Sequence, residues 1–287
     1  MRSLLKPVLL KRAPLKPALL LSVVLLAASA CKREAEVPAP PVPGQTAPAE
    51  TVAGPAAAIP ELKDVIETND SYIVGISYPA TINKYPGLAQ AVSAYADSAR
   101  AELMQAVAGF GNDKPSAPYE LSLGFEQVVE TPQLVAIAAD GSRYTGGAHG
   151  EPLVARFVWL PAQNKLLTAK ELVPRVEGWV AIGAYIREQL HTSVSVRADA
   201  DEMPPQERLE FVRSADKMID EGTEPDADNF AAFQPIVDAQ GRITALRFVF
   251  PPYQVGPYAD GTQTVDVPAA ILLPHLAPEY SGLFAKS

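Results

Sequence analysis

Between residues 72 and 78 the large side chains Tyr72, Val74, Ile76 and Tyr78 alternate with smaller or polar ones, the period of a strand with one buried face. The period then changes. Leu88, Ala91, Val92, Tyr95, Ala99, Leu103, Ala106 and Val107 recur every three or four residues, which predicts an amphipathic helix stopped by Gly109 and Gly111. Strand patterns follow over 119–129, where Leu121, Leu123 and Phe125 are in phase, then over 133–139 and 153–160, separated by Glu130-Thr131-Pro132 and by a glycine cluster around Gly146. Strands so closely spaced predict an antiparallel meander. Asn164-Lys165 suits a turn, and Thr168-Ala169-Lys170-Glu171 suits a capping box opening a short helix that ends at Pro174. Trp179, Ile182, Ile186 and Leu190 share one helix face, and Leu209, Val212, Ala215 and Ile219 share another, on a helix that stops at Gly222. Strand patterns return at 235–237, 243–250 and 262–267, and a short apolar helix starts at Pro268. Strands, then helices, then strands, without strict alternation, predict an α+β fold of antiparallel sheets packed with several amphipathic helices, as one domain or two intimately packed halves. That domain spans 61–287.

The N-terminus follows a different pattern. Arg2, Lys6, Lys11, Arg12 and Lys16 precede an apolar run over 18–28, and Ser29, Ala30 and Cys31 follow it. This is the order of an export signal, and the run is short of the about 20 apolar residues that span a bilayer. Leu26-Ala27-Ala28-Ser29-Ala30-Cys31 resembles the lipobox of bacterial lipoproteins, apart from Ala28 where leucine is preferred. The expectation is a signal peptide over 1–30 and a diacylated Cys31 anchoring the chain to a membrane. The plainer alternative is cleavage that leaves an unmodified thiol. Cys31 is the one cysteine, so it has no internal disulfide partner, and acylation accounts for a thiol in an oxidising compartment. Lys32 after the cysteine favours the outer membrane, which places the body on the periplasmic side of the envelope. From 31 to 60 the chain is a proline- and alanine-rich tether with almost no large apolar side chains, too few for a core.

Charge narrows the partners. Removing the leader takes five of the 24 Lys and Arg residues and none of the 33 Asp and Glu, so the formal charge of −9 becomes five units more negative. Such a surface argues against nucleic acid and favours cationic partners.

Two stretches carry candidate chemistry. Tyr144-Thr145-Gly146-Gly147-Ala148-His149-Gly150 holds three glycines that permit positive φ or close backbone approach, as in a tight connector or a ligand-contacting loop. The lysine of a phosphate loop is missing, and His149 is open to a packing role or a functional one. The second stretch runs over 248–261. Pro251-Pro252 ends the strand ladder, which puts Tyr253 and Tyr258 on a constrained loop as contact residues or as a lid over the core. The candidate binding residues are therefore Tyr144, Gly146, Gly147, His149, Tyr253 and Tyr258. Gly-x-Ser-x-Gly and His-Glu-x-x-His patterns are absent from the sequence. His149, His191 and His275 lie far apart, and the acidic run 221–228 lacks the spacing of a calcium loop. Neither a metal nor a cofactor is expected.

Tyr144, Gly146, Gly147, Ala148, His149 and Gly150, together with Pro252, Tyr253, Tyr258, Ala259 and Gly261, resemble the two motifs of the RsiV-like domain. That module is the extracytoplasmic sensor of the anti-sigma-V factor and the non-catalytic N-terminal part of certain peptidoglycan deacetylases. The resemblance covers about 73–276 and extends to the 154–172 region. It implies an α+β binding module outside the membrane, whose partner in the anti-sigma branch is lysozyme. Neither a sigma-binding segment nor a deacetylase domain is read in this sequence, so the expectation is a lipid-anchored envelope binding module that recognises or inhibits lysozyme-type muramidases. Two alternatives stay open: an enzyme acting on peptidoglycan through His149 and a carboxylate, and a structural outer-membrane lipoprotein.

Overall fold

The computed structural model describes residues 61–286 apart from 112 and 114. The expected leader, Cys31 and the tether lie outside the described residues. No helix among the described residues is long and apolar enough to cross a membrane.

Six strands form the first sheet in the order β1 (Val65–Thr68), β2 (Tyr72–Ser77), β3 (Tyr119–Glu130), β4 (Val135–Tyr144), β5 (Glu151–Leu160) and β6 (Lys165–Leu166). The meander β3–β4–β5 is antiparallel, as its spacing predicts. β2 and β3, however, pair in parallel, with Val74 beside Leu121 and Ile76 beside Leu123. This one pair departs from the antiparallel pattern expected of the sheets, while the α+β class is as expected. The helix α1 (Pro86–Ala108) lies between these two strands and carries the chain back to the start of the sheet, which is what a parallel pairing requires. α1 begins with proline in its first turn, where the missing N–H costs nothing. Its stripe of Leu88, Val92, Ala96, Ala99 and Leu103 is buried against Leu121, Leu123, Phe125, Ile137 and Trp159.

The second sheet is β7 (Phe233–Val237), β8 (Ile243–Phe250) and β9 (Gln263–Pro268), all antiparallel. Three helices precede it: the short α2 (Ala169–Leu172), then α3 (Val176–Ala200) and α4 (Pro205–Gly222). Trp179, Ile182, Ile186 and Leu190 of α3 join Phe248, Phe250, Val265 and Val267 in a second core, and the short α5 (Ala269–Leu272) adds Leu272. β4 ties the two cores together because both of its faces are buried. Val135, Ile137 and Ala139 face α1, while Ala136, with Leu134 just before it, faces the second core.

Thr168 caps α2 as its sequence predicts. Its hydroxyl accepts from the Glu171 N–H, and the Glu171 carboxylate accepts from the Thr168 N–H at 3.0 Å and from Lys165 Nζ at 3.1 Å. The Thr168 N–H first, and then Lys165, hold the Glu171 carboxyl below its ordinary range. Its folded state therefore binds a proton less readily than the unfolded chain does, so its contribution is present above the ordinary glutamate range and is lost as pH falls through the depressed value. Glu171→Gln is expected to flatten the acid limb of a urea-midpoint profile taken between about pH 6 and pH 3. An unchanged acid limb would refute this assignment.

Candidate functional site

The strands β4 and β5 are joined by the glycine-rich stretch. Gly146 and Gly147 take φ of 97° and 100°, the left-handed side that side chains with a Cβ avoid. Tyr144, the last residue of β4, donates its hydroxyl to the Gly147 carbonyl at 3.2 Å and so pins the turn. Arg143 holds the base of this hairpin. Its guanidinium is nearly buried and pairs with Glu151, across the strand on β5, and with Glu102 on α1.

His149 is exposed on this turn. Its Nδ1 lies 3.1 Å from the Gly150 carbonyl, which can only accept, so the neutral imidazole carries its proton on Nδ1. Nε2 is then the acceptor for the Tyr253 hydroxyl, 2.7 Å away. The ring of Tyr258 stacks on the imidazole at 3.9 Å between centroids and 16° between planes, and the two tyrosine rings lie 5.7 Å apart. The two stretches singled out in the sequence thus meet across 104 residues of chain. Neither nitrogen of His149 contacts a carboxylate, so the described residues give it no acid–base partner of the carboxylate–histidine kind.

Tyr253 and Tyr258 do not fold back as a lid over the core. Tyr253 is 54% exposed and Tyr258 is half-buried against His149. Tyr253 takes a φ of 74°, a strained value for a bulky residue, sustained by a bond from its N–H to the Gly256 carbonyl at 2.9 Å. The loop around it is fixed from beneath. Gln254 Nε2 donates to the carbonyls of Gly222 at 3.0 Å and Asn229 at 2.8 Å, Val255 is buried, and Asp260 pairs with Arg197 of α3 at 2.9 Å. A pocket of ≈ 160 Å³ behind the loop is lined by Leu190, Val194 and Arg197 of α3, Ile219 of α4, and Val255 and Asp260.

Arg143 and the Arg197–Asp260 pair were not singled out from sequence. For Arg143 a signal existed: it falls in phase with the inward residues Ile137 and Ala139, where a lone cation needs carboxylates within reach. His191 and His275 stand apart from the site. His191 Nδ1 meets Asp216 of α4 at 2.5 Å, and His275 packs beside Gly178.

Rings from the two halves of the domain thus form one exposed polar–aromatic surface on an α+β scaffold. The halves are also where family likeness falls. Residues 66–151 match the family described as Deacetylase PdaC, and residues 180–270 match DUF3298, a family of unknown function. The chain thus carries one segment matching each of these two families, which is consistent with the RsiV-like resemblance. His149 lies in the first matched segment, and Tyr253 and Tyr258 lie in the second. Among solved structures, a DUF3298-family protein from Pseudomonas aeruginosa PAO1 is similar at 16% identity and a TM-score of 0.47, covering 77% of this chain and 91% of that one. A DUF3298-family member from Bacteroides fragilis NCTC 9343 is similar at 15% identity and a TM-score of 0.45, covering 77% and 94%. No curated protein matches the chain.

Proposed function

We propose that this protein is a binding module of the cell envelope, held on the periplasmic side through an acylated Cys31, whose His149–Tyr253–Tyr258 surface recognises a basic protein of the lysozyme type. The observation that carries this reading is the surface itself: three rings assembled from distant segments, two of them exposed, and held by a strained backbone at Tyr253. Tyrosines fixed on a rigid loop give large contact area at low entropic cost. The matched families support an envelope setting, and the excess of Asp and Glu over Lys and Arg suits a cationic partner by steering its approach.

The full chain, immobilised, is expected to retain a lysozyme at low salt and release it as salt rises. Tyr253→Ala should weaken that retention by about thirtyfold, as for a contact worth about 2 kcal/mol. Absence of retention at low salt would overturn the lysozyme reading. Capture of peptidoglycan fragments in its place would move the partner from protein to polymer. Palmitate labelling that persists in Cys31→Ser would overturn the anchor.

A further inference from the structure

We infer that Tyr253 selects the partner's contacting group, and that His149 sets the polarity of that selection. This inference rests on the binding reading above. In the neutral site every proton is accounted for: Nδ1–H of His149 points at the Gly150 carbonyl, and the Tyr253 O–H points at Nε2. Tyr253 is an exposed residue, and its oxygen is left with lone pairs only. It can accept from an incoming group and cannot donate to one. A partner carbonyl or carboxylate meeting it finds no hydrogen, whereas the ammonium of a lysine or the guanidinium of an arginine does find an acceptor.

The excess of Asp and Glu over Lys and Arg in the chain favours a cation over a neutral donor. Asp260, on the same loop, ties α3 to the site through Arg197. The charged groups on the packed elements nearest His149 are committed: Arg143 to Glu151 and Glu102 at the hairpin base, and Asp260 to Arg197. Tyr144, Tyr253 and Tyr258 are the other titratable groups of those elements.

Protonation reverses the arrangement. With a hydrogen on Nε2, the imidazolium donates to the Tyr253 oxygen, the phenolic hydrogen turns outward, and a cationic partner meets both a donor and a positive charge. Binding selected by the neutral site is lost on acidification, and the loss passes through the Tyr253 hydroxyl.

Two measurements on the full chain decide this. Long-range proton–nitrogen NMR of the His149 ring at about pH 8 should show the Nδ1–H tautomer. The Nε2–H tautomer would overturn the inference whatever the partner proves to be. Lysozyme binding, compared at constant ionic strength at about pH 8 and about pH 5.5, should be about tenfold weaker for Tyr253→Phe than for the unaltered protein at the higher pH, and the two should converge at the lower one. The phenylalanine keeps the ring, and it shares with the unaltered protein any titration belonging to lysozyme itself. Equal binding by the two proteins at both pH values would overturn the inference and leave the binding reading standing. Absence of binding by either at any pH would defeat that reading, and the selection of a cationic partner with it.

Discussion

Gly222→Ala is expected to unseat the tyrosine loop, lowering stability by about 1–3 kcal/mol and binding in parallel. A Cβ at this last residue of α4 would lie 1.9 Å from the Gln254 carbonyl oxygen and 2.7 Å from its carbon. Both are backbone atoms and cannot rotate aside as a side-chain tip does. The same approach is what lets Gln254 Nε2 reach the Gly222 carbonyl at 3.0 Å, so moving the two chains apart removes a hydrogen bond along with the clash. Gln254 directly follows Tyr253, and a shift there is transmitted to the Tyr253–His149 bond at 2.7 Å. Urea unfolding gives the stability, and the His149 ring resonances report the loop. Wild-type values for both would show that α4 does not seat the loop.

Much of this was legible because local rules govern it. The helix α1 declares itself by the spacing of Leu88, Val92, Ala99 and Leu103, and the cap at Thr168 by the glutamate three residues on. The parallel pairing of β2 with β3 was also within reach, since a strand, a long helix and a strand in succession form a crossover unit. The sheet expectation followed instead from the closely spaced strands further on. β1 escaped notice because four residues, only two of them facing inward, give too short an alternation to register. The site divides along the same line. Positive φ at Gly146 and Gly147 and the break in the ladder at Pro251 are local, and they marked both stretches. Their meeting is not local: it depends on β4 being buried on both faces, which packs the two sheets around one strand. No spacing within either stretch encodes that.

The second large effect concerns the core under the loop. Phe230 is 1% exposed and stacks on Trp179 at 5.0 Å with 4° between the planes, while Phe248 and Phe250 meet it edge-on at 5.8 and 6.3 Å. Three aromatic neighbours in fixed stacked and edge-to-face geometry cannot collapse into the space its ring leaves. Phe230→Ala is therefore expected at the upper part of the range for buried aromatic truncation, about 3–5 kcal/mol, or roughly 10 °C in melting temperature for a domain of this size. The effect should reach the surface, because Asn229, the residue before it, supplies the carbonyl that accepts from Gln254 at 2.8 Å. Phe230→Leu restores part of the volume and should recover part of both stability and His149 ring order. A Phe230→Ala protein as stable as the unaltered chain would mean that the second core does not support the loop. The strain at Tyr253, with φ of 74°, would then need another source of support.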